Sequence, residues 1–311
     1  MVFIIHKNEE LCYNEQSIHY HKYNRRGEME KIIIVAQAKV NLSLDVLGKR
    51  EDGYHEMQMV NHSIALQDTL TFESCPNGVA LTSNIQGIPL GENNLVLIAL
   101  RKLQKCFDVN KGIKIHLEKR IPHEAGLAGG SSDAAATLKG LNTLWELGLS
   151  TEELLDIGVT VGADVPYCLL GGTALVEGIG EKITPLLSMK KLYVVVVKPN
   201  MNISTPWAFK SLDLGVIQTR PDIPRVIHSL ETEDYRGLSH AMGNVFEPVI
   251  TGKYPEINEI KNDLISLGAV ASIMTGSGPT VIGYFVKKTS AKNAWKLFSK
   301  KYTMCFLSET C

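Results

Sequence analysis

The stretch Pro122-His123-Glu124-Ala125-Gly126-Leu127-Ala128-Gly129-Gly130-Ser131-Ser132-Asp133-Ala134-Ala135-Ala136 decides how the rest of the chain is read. An alternating segment, Ile113 to Leu117, precedes it. An amphipathic segment rich in Ala and Leu, Ser131 to Leu147, comes after it, so the passage runs from strand through loop to helix. Glycines let a backbone approach an anion closely, and the first turn of a helix offers unpaired N–H groups at the positive end of its dipole. Two serines at that turn add hydroxyl donors, and the combination suits a polyphosphate. The plainer alternative is a tight turn with Ser131 as helix cap. Three glycines within Gly126 to Gly130, followed by paired serines, weigh against it. The loop is not a Walker A, because it contains no Gly-Lys-Ser/Thr. The later Gly276-Ser277-Gly278 lacks the third glycine of a dinucleotide fingerprint. The expectation is a nucleotide held by a different geometry.

Composition bounds the class of protein around this loop. The chain has 311 residues, which at roughly 150 per domain predicts two domains. Hydrophobic residues make up 44% and charged residues 21%, close to the globular average, so wholesale disorder and fibrous architectures are excluded. Lys and Arg number 32 against 33 Asp and Glu, a formal net charge of −1. Such a chain has no global positive field to gather nucleic acid or an anionic membrane, and neither partner is expected. The longest apolar strand pattern, Leu192 to Val197, is far short of the roughly 20 residues that span a bilayer. The six cysteines (12, 75, 106, 168, 305 and 311) include no Cys-x-x-Cys pair, so reduced thiols in a cytoplasmic protein are expected. The protein is expected to be a monomer or a weak homodimer.

The front end differs from the rest of the chain. Residues 1–28 hold His6, His19 and His21, together with Tyr20, Tyr23 and Arg25-Arg26. A metal-binding His-Tyr-His is the sharper reading and a solvated tail the plainer one, since no carboxylate or Cys partner accompanies the histidines. The sequence reading takes Met29 as the functional start and 1–28 as a non-native or disordered extension. Residues 29–190 are then an N-terminal domain that carries the glycine loop, and 191–311 a C-terminal domain.

Within the first domain, Ile32 to Val35 and Val40 to Val46 read as consecutive strands, Asp52-Gly53 as a turn, Ser63 to Phe72 as a strand pair and Gly78 to Ser83 as a short strand. Asn94 to Phe107 has a helical period opened by an Asn cap. A third helix is expected over Thr151 to Val161, with a hydroxyl-and-Glu start signature. Gly171-Gly172 precedes a strand, Thr173 to Val176. After Pro185 come the strand Leu192 to Val197, helical stretches near 222–240 and 255–267, strands near 270–274 and 280–285, and a helix from 290 to 300. The order predicts an α+β fold of two closely packed domains.

Two further segments carry candidate chemistry. Gly162-Ala163-Asp164-Val165-Pro166 places one acid in a small, apolar setting, either a turn or cap residue or a poised base. Met274-Thr275-Gly276-Ser277-Gly278-Pro279-Thr280 is a small-residue loop between strands, either a backbone near phosphates or an ordinary hairpin turn.

Together the segments resemble the GHMP kinases, small-molecule ATP kinases that lack a Walker A. The resemblance rests on the Pro122 to Ser132 loop, the early Ala38-Lys39-Val40-Asn41-Leu42 and the late Thr275-Gly276-Ser277-Gly278-Pro279, and it covers about residues 30 to 300. It implies a ribosomal-protein-S5-like N-terminal domain and a ferredoxin-like C-terminal domain. Arg50-Glu51-Asp52-Gly53-Tyr54-His55 and Gly162 to Pro166 are similar to the branch that phosphorylates 4-diphosphocytidyl-2-C-methyl-D-erythritol, a step of isoprenoid precursor biosynthesis, and set it apart from branches acting on mevalonate, homoserine or galactose.

The resemblance implies roles residue by residue. ATP phosphates would lie over Pro122 and the run Gly126, Leu127, Ala128, Gly129, Gly130, Ser131 and Ser132, with Asn94, Leu95 and Lys119 bordering adenine and ribose. Tyr54 and His55 would hold the cytosine, and the segment with Thr205 and Phe209 would offer an aromatic ring to its other face. Asp164 and Lys39 look like the catalytic pair, the first taking the proton of the 2-hydroxyl and the second neutralising charge; Asn41 would contact the substrate. Mg2+ would accompany ATP, with Ser132 as its protein contact. In this chain His123-Glu124-Ala125 and Ala128 stand where small residues or glycine are frequent, and a Glu beside a polyphosphate is electrostatically unexpected.

Overall fold

The computed structural model describes residues 18–23, 29–187 and 191–311. Strand β1 (Ile18–Tyr23) pairs antiparallel with the outer edge of β2 (Met29–Lys49), which in turn pairs along its length with β3 (His55–Cys75). Next come β4 (Val79–Ser83), α1 (Leu95–Phe107), β5 (Gly112–Glu118), α2 (Gly129–Leu144), α3 (Thr151–Val159), α4 (Val165–Leu170), β6 (Thr173–Gly178) and β7 (Lys182–Pro185). The second half contains β8 (Tyr193–Lys198), α5 (Thr205–Ser211), α6 (Ile223–Glu231), α7 (Tyr235–Ala241), β9 (Gly243–Asn244), α8 (Glu247–Lys253), α9 (Glu256–Ser266), β10 (Ala271–Met274), β11 (Val281–Phe285), α10 (Lys288–Phe298) and β12 (Met304–Glu309). The first sheet has the order β1-β2-β3-β5-β4, with β6 also on β3, β7 on β6 and β9 on β2. The second is β10-β11-β8-β12.

The strands expected as separate pieces are two continuous 21-residue strands. Register shifts at Gln37/Ala38, Asn41/Ser43 and Val46/Gly48 break the alternation without breaking the pairing. Each such bulge bends and twists the ribbon. As a result β2 serves two interiors. Its first stretch, Ile32 and Ile34, packs with Leu70 and Phe72 beneath α1 and α2. Its later stretch, Leu44 and Val46, packs with Met57 and Met59 against Val195, Val197, Phe246 and Phe285 of the second half. A third cluster joins Val40 and Leu42 to Ile121, Leu127, Val194 and Ile273. The chain halves therefore share their interior, which fixes the loops of one relative to the loops of the other.

Helix boundaries are set by their caps. The α1 start is as expected: Asn94 accepts from the Val96 N–H through its side chain. The α3 cap is Ser150, with Glu153 completing the reciprocal capping box, one residue earlier than the sequence reading placed the hydroxyl. Helix α2 begins at Gly129 rather than Ser131, so Ser131 is not its cap. Of residues 1–28, Ile18–Tyr23 form β1; the others, His6 and Arg25-Arg26 among them, lie outside the described residues. Among the described residues no group of three His, Cys, Asp or Glu side chains could hold a metal ion, and no helix is long and apolar enough to cross a membrane. Cys75, Cys106, Cys168, Cys305 and Cys311 are free thiols.

One buried residue ties the fold to pH. His62 on β3 is wholly buried, with Nδ1 2.6 Å from Thr173 Oγ1. Burial pulls its pKa down to about 4. In the unfolded chain the imidazole protonates near pH 6.5, so between those values the unfolded state binds more protons. Stability from this group is complete above pH 6.5 and falls as pH drops toward 4, by up to about 3 kcal/mol. Replacing His62 by Gln is expected to flatten this part of the urea midpoint against pH. An unchanged slope would assign the acid sensitivity elsewhere.

Candidate active site

The bulged middle of β2 carries Lys39 into a cleft of about 540 Å³ between the chain halves, within the range of small-molecule sites, with Asn41 buried behind it. Lys39 is buried, its backbone N–H donating to Leu127 O at 3.1 Å, which docks the glycine loop onto the strand. Its Nζ lies 3.7 Å from Asp164 Oδ1 and donates to Asn41 Oδ1 at 3.2 Å. Asp164 occupies the cap position of α4, where Pro166 suits the first helical turn, yet its side chain makes no capping bond. The carboxylate is instead half-exposed at the cleft, facing the ammonium.

The glycine loop lies along the cleft between these residues and the start of α2. Ala128 precedes α2 with φ 53° and offers no side-chain cap, and no acid stands in the first turn. The first N–H groups of α2 therefore face the cleft without an internal partner, a ready anion site. Two glycines are tightly enclosed. At Gly126, with φ 72°, an added Cβ would lie 2.6 Å from Thr275 O; at Gly129 it would lie 2.9 Å from Lys119 Nζ and from Ile121 Cγ2. The first is where the two small-residue loops touch backbone to backbone.

Ser131 lines the cleft; Ser132 does not. The Ser132 hydroxyl is buried and donates to Gln37 O at 2.6 Å, which corrects its expected roles at the phosphates and the metal. Successive residues on a helix point about 100° apart, so with α2 starting at Gly129 a single serine of the pair can face the ligand. Asn41 is corrected as well. It is wholly buried, and its Oδ1 already accepts from Lys39 Nζ, from Gly276 N at 2.9 Å and from Thr275 Oγ1 at 3.2 Å. Its Nδ2 donates to Asn61 Oδ1 at 2.6 Å. Nδ2 also meets Met59 Sδ at 3.5 Å, so both ends of the buried amide face protein groups rather than the cleft.

At the far end of the cleft, Asn94 and Leu95 stand beside Ile88, Pro89 and Leu117. Lys119 borders this end, but its ammonium is committed: it pairs with Asp68 and, at 2.7 Å, with Asp133 of α2. Asp68 also accepts from the Ile121 N–H at 2.8 Å and from the Arg120 N–H. Burial opposes the charge on Lys119, yet the two carboxylates outweigh it and raise its pKa. Burial pushes the Asp133 carboxyl up, Lys119 opposes this and Asp68 adds to it. The triad closes the loop from residue 119 to residue 133 at its base.

At the other end, the His55 and Phe209 rings pack 4.8 Å apart and tilted by 34°, and Phe209 meets Phe246 edge-on at 4.9 Å. Tyr54 is exposed beside them. Thr205 opens α5 at the cleft wall and shares a 2.9 Å hydrogen bond with Ser277 Oγ. Pro122 and Glu124 also line the cleft; Glu124 has φ 51° and reaches toward His123 at 3.8 Å. The sequence reading missed Asp68, Asn61, Asp133, Asn244 and the hydroxyl of Thr275. For Asp133 a signal existed, a lone acid inside the Ser-Ser-Asp-Ala-Ala-Ala run of a buried helix.

A cleft of this kind, with a helix start suited to an anion and no Walker A, fits a kinase of the GHMP type. The GHMP kinases N terminal domain pattern matches residues 94–172 and the GHMP kinases C terminal pattern residues 226–303, and the chain belongs to the GHMP kinase family. It is an ATP-dependent kinase acting on a small molecule. It is 46% identical over 284 residues to the 4-diphosphocytidyl-2-C-methyl-D-erythritol kinase of Alkaliphilus oremlandii, covering 91% of this chain and 97% of that protein. It is 44% identical to the protein of the same name from Acetivibrio thermocellus, over 91% of this chain and all of that one. A crystal structure of 4-(cytidine 5'-diphospho)-2C-methyl-D-erythritol kinase superposes with a TM-score of 0.78 at 31% identity, covering 89% of this chain and 98% of that one. A homoserine kinase from Cytophaga hutchinsonii shares the fold, with a TM-score of 0.74 at 19% identity.

The loop contact yields a sharp expectation. Gly126→Ala would force the two loops apart, and phosphoryl transfer is expected to fall by at least about 100-fold, the scale of a displacement of about 1 Å in a catalytic site. Steady-state kinetics on folded protein check this, and activity within threefold of wild type would show that the contact is dispensable.

Proposed function

We propose that the protein transfers the γ-phosphoryl group of ATP to the 2-hydroxyl of 4-diphosphocytidyl-2-C-methyl-D-erythritol, giving the 2-phosphate and ADP. The observation that carries the reading is the Lys39–Asp164 pair, set between the phosphate-binding start of α2 and the aromatic corner at His55 and Phe209. The names of the relatives support the same substrate. In phosphoryl transfer a protein mostly positions reactants and neutralises charge. Asp164 orients the hydroxyl and takes its proton. Lys39 faces the carboxylate and offsets charge on the transferring group. The N–H groups at Gly129 to Ser131 hold the phosphate oxygens, replacing water with fixed dipoles.

The cytosine of the substrate belongs at the aromatic corner, where Phe209 and Tyr54 offer ring faces and His55 a polar edge. Phe209 also packs on Phe246, a purely structural duty that binding does not remove. Mg2+ is proposed to arrive on the ATP phosphates, where it supplies charge neutralisation. Of the three carboxylates that line the cleft, Asp133 is paired with Lys119, which leaves Asp164 and Glu124 as the groups of this chain suited to face it.

Asp164→Asn tests the assignment. Loss of a general base is expected to lower kcat by at least about 100-fold while leaving ADP affinity within about threefold, read by calorimetry. A kcat change below threefold would remove Asp164 from the mechanism. Cytidine nucleotides are expected to compete with the alcohol substrate and not with ATP. Absence of such competition, with turnover on homoserine or mevalonate, would move the protein to another branch of the family.

A further inference from the structure

Thr275 is not among the residues that line the cleft. It lies wholly buried at the end of β10, on the loop that the second half of the chain presses against the glycine loop. It makes two hydrogen bonds to one residue. It accepts from the backbone N–H of Asn41 at 3.0 Å and donates to Asn41 Oδ1 at 3.2 Å. The same Oδ1 receives the backbone N–H of Gly276 at 2.9 Å and the ammonium of Lys39 at 3.2 Å. Thr275, Asn41 and Lys39 thus form one continuous hydrogen-bonded line. It starts in the second half of the chain and ends on the ammonium that faces Asp164.

The line has a fixed far end. Asn244 donates through Nδ2 to Met274 O and to Gly276 O, both at 2.8 Å, and is itself buried on β9 beside β2. The loop is held from both sides, by Asn244 on its carbonyls and by Asn41 on its N–H. Thr275 cannot swing away while Asn244 is in place. Lys39 has a flexible four-carbon stem, and a buried ammonium placed by one amide oxygen depends on that oxygen staying where it is. Rotation of the Asn41 amide would present NH2 to the ammonium and repel it. The Thr275 hydroxyl and the Gly276 N–H are the donors that select the productive rotamer.

We propose that Thr275 is a positioning residue for phosphoryl transfer. Acting through Asn41, it holds Lys39 in register with Asp164, so the charge pair is assembled only when the Thr275–Pro279 loop is seated against the first half of the chain. The inference rests on the reading of Lys39 and Asp164 as the reacting pair. It differs from a contact with ATP, because Thr275 is wholly buried behind the cleft wall, with its hydroxyl turned to Asn41 and, more distantly, to Gly126 O at 3.5 Å.

Thr275→Val keeps the shape and removes the hydroxyl. The expected result is a fall in kcat of at least about tenfold, since small misplacement of a catalytic group is costly. ADP affinity and KM for the alcohol substrate should stay within about threefold, because neither ligand touches Thr275. Thr275→Ser restores the hydroxyl and is expected to recover kcat to within about threefold of wild type. In an Asn41→Ala background the same Thr275→Val change should cost nothing further, the non-additivity of residues acting in one line. Thr275→Ala, which cannot overpack the site, serves if the valine variant does not fold, and melting temperatures are recorded for every protein. The proposal is overturned by unchanged kcat in Thr275→Val, by a loss confined to ATP affinity, which would place the effect at Gly126, or by additive losses with Asn41→Ala. Wild-type turnover is measured in the same series: if it fails on the cytidine-diphosphate alcohol, the substrate reading falls, whereas the ratio of variant to wild type on any accepted alcohol still judges the line to Lys39.

Discussion

Two small-residue loops from the two halves of the chain meet backbone to backbone at Gly126 and Thr275–Gly276, and the cleft depends on that contact. No side chain fits between them: a Cβ at Gly126 would overlap Thr275 O, and one at Gly276 would come within 3.1 Å of Gly126 Cα. Close approach lets one buried amide, Asn41, bond simultaneously to the Lys39 ammonium on its own strand and to the opposing loop. The bulged strand β2 makes this possible by belonging to two interiors at once. Packing, loop position and the placement of the catalytic ammonium are therefore parts of one constraint.

A second constraint is electrostatic. A chain of net charge −1 must hold two anionic substrates, and no protein-wide field helps. Local donors supply the attraction: the uncapped start of α2 and the Lys39 ammonium. Lys119, which the sequence offers as another, is already neutralised by Asp68 and Asp133 and works as a clamp at the base of the glycine loop. The loop also tolerates strain. Glu124 and Ala128 sit at φ 51° and 53°, where a residue with a Cβ costs about 1 kcal/mol, and glycine would adopt either position freely.

Much of this was readable in the chain. The Asn94 cap with its helical period, the strand–loop–helix passage around Gly126, and the acid at Asp164 carry local signals that the structure preserves. The length of β2 and β3 was not readable, because bulges at Gln37/Ala38 and Asn41/Ser43 interrupt the alternation that marks a strand. The pairing of Lys39 with Asp164 joins residues far apart in the chain, and spacing alone gives no distance between them; the family resemblance supplied it. Ser132 and Asn41 were misplaced for a shared reason. Their residue types suit ligand contact, and only the register of α2 and the partners of a buried amide reveal that protein groups already occupy them. Thr275 stood in a small-residue loop that read as either a backbone near phosphates or a hairpin turn, since a hydroxyl's partner is invisible until the opposing strand is in place.

The identity of the product tests the placement of Asp164, Lys39 and the aromatic corner most directly. Purified protein incubated with ATP and 4-diphosphocytidyl-2-C-methyl-D-erythritol should yield, in phosphorus NMR, one new phosphomonoester resonance. Carbon–phosphorus coupling should place it on the quaternary carbon that bears the methyl group, with ADP formed in equal amount. A phosphate on a primary or secondary hydroxyl, or ADP released without a phosphorylated alcohol, would contradict the arrangement of Asp164, Lys39 and the aromatic corner.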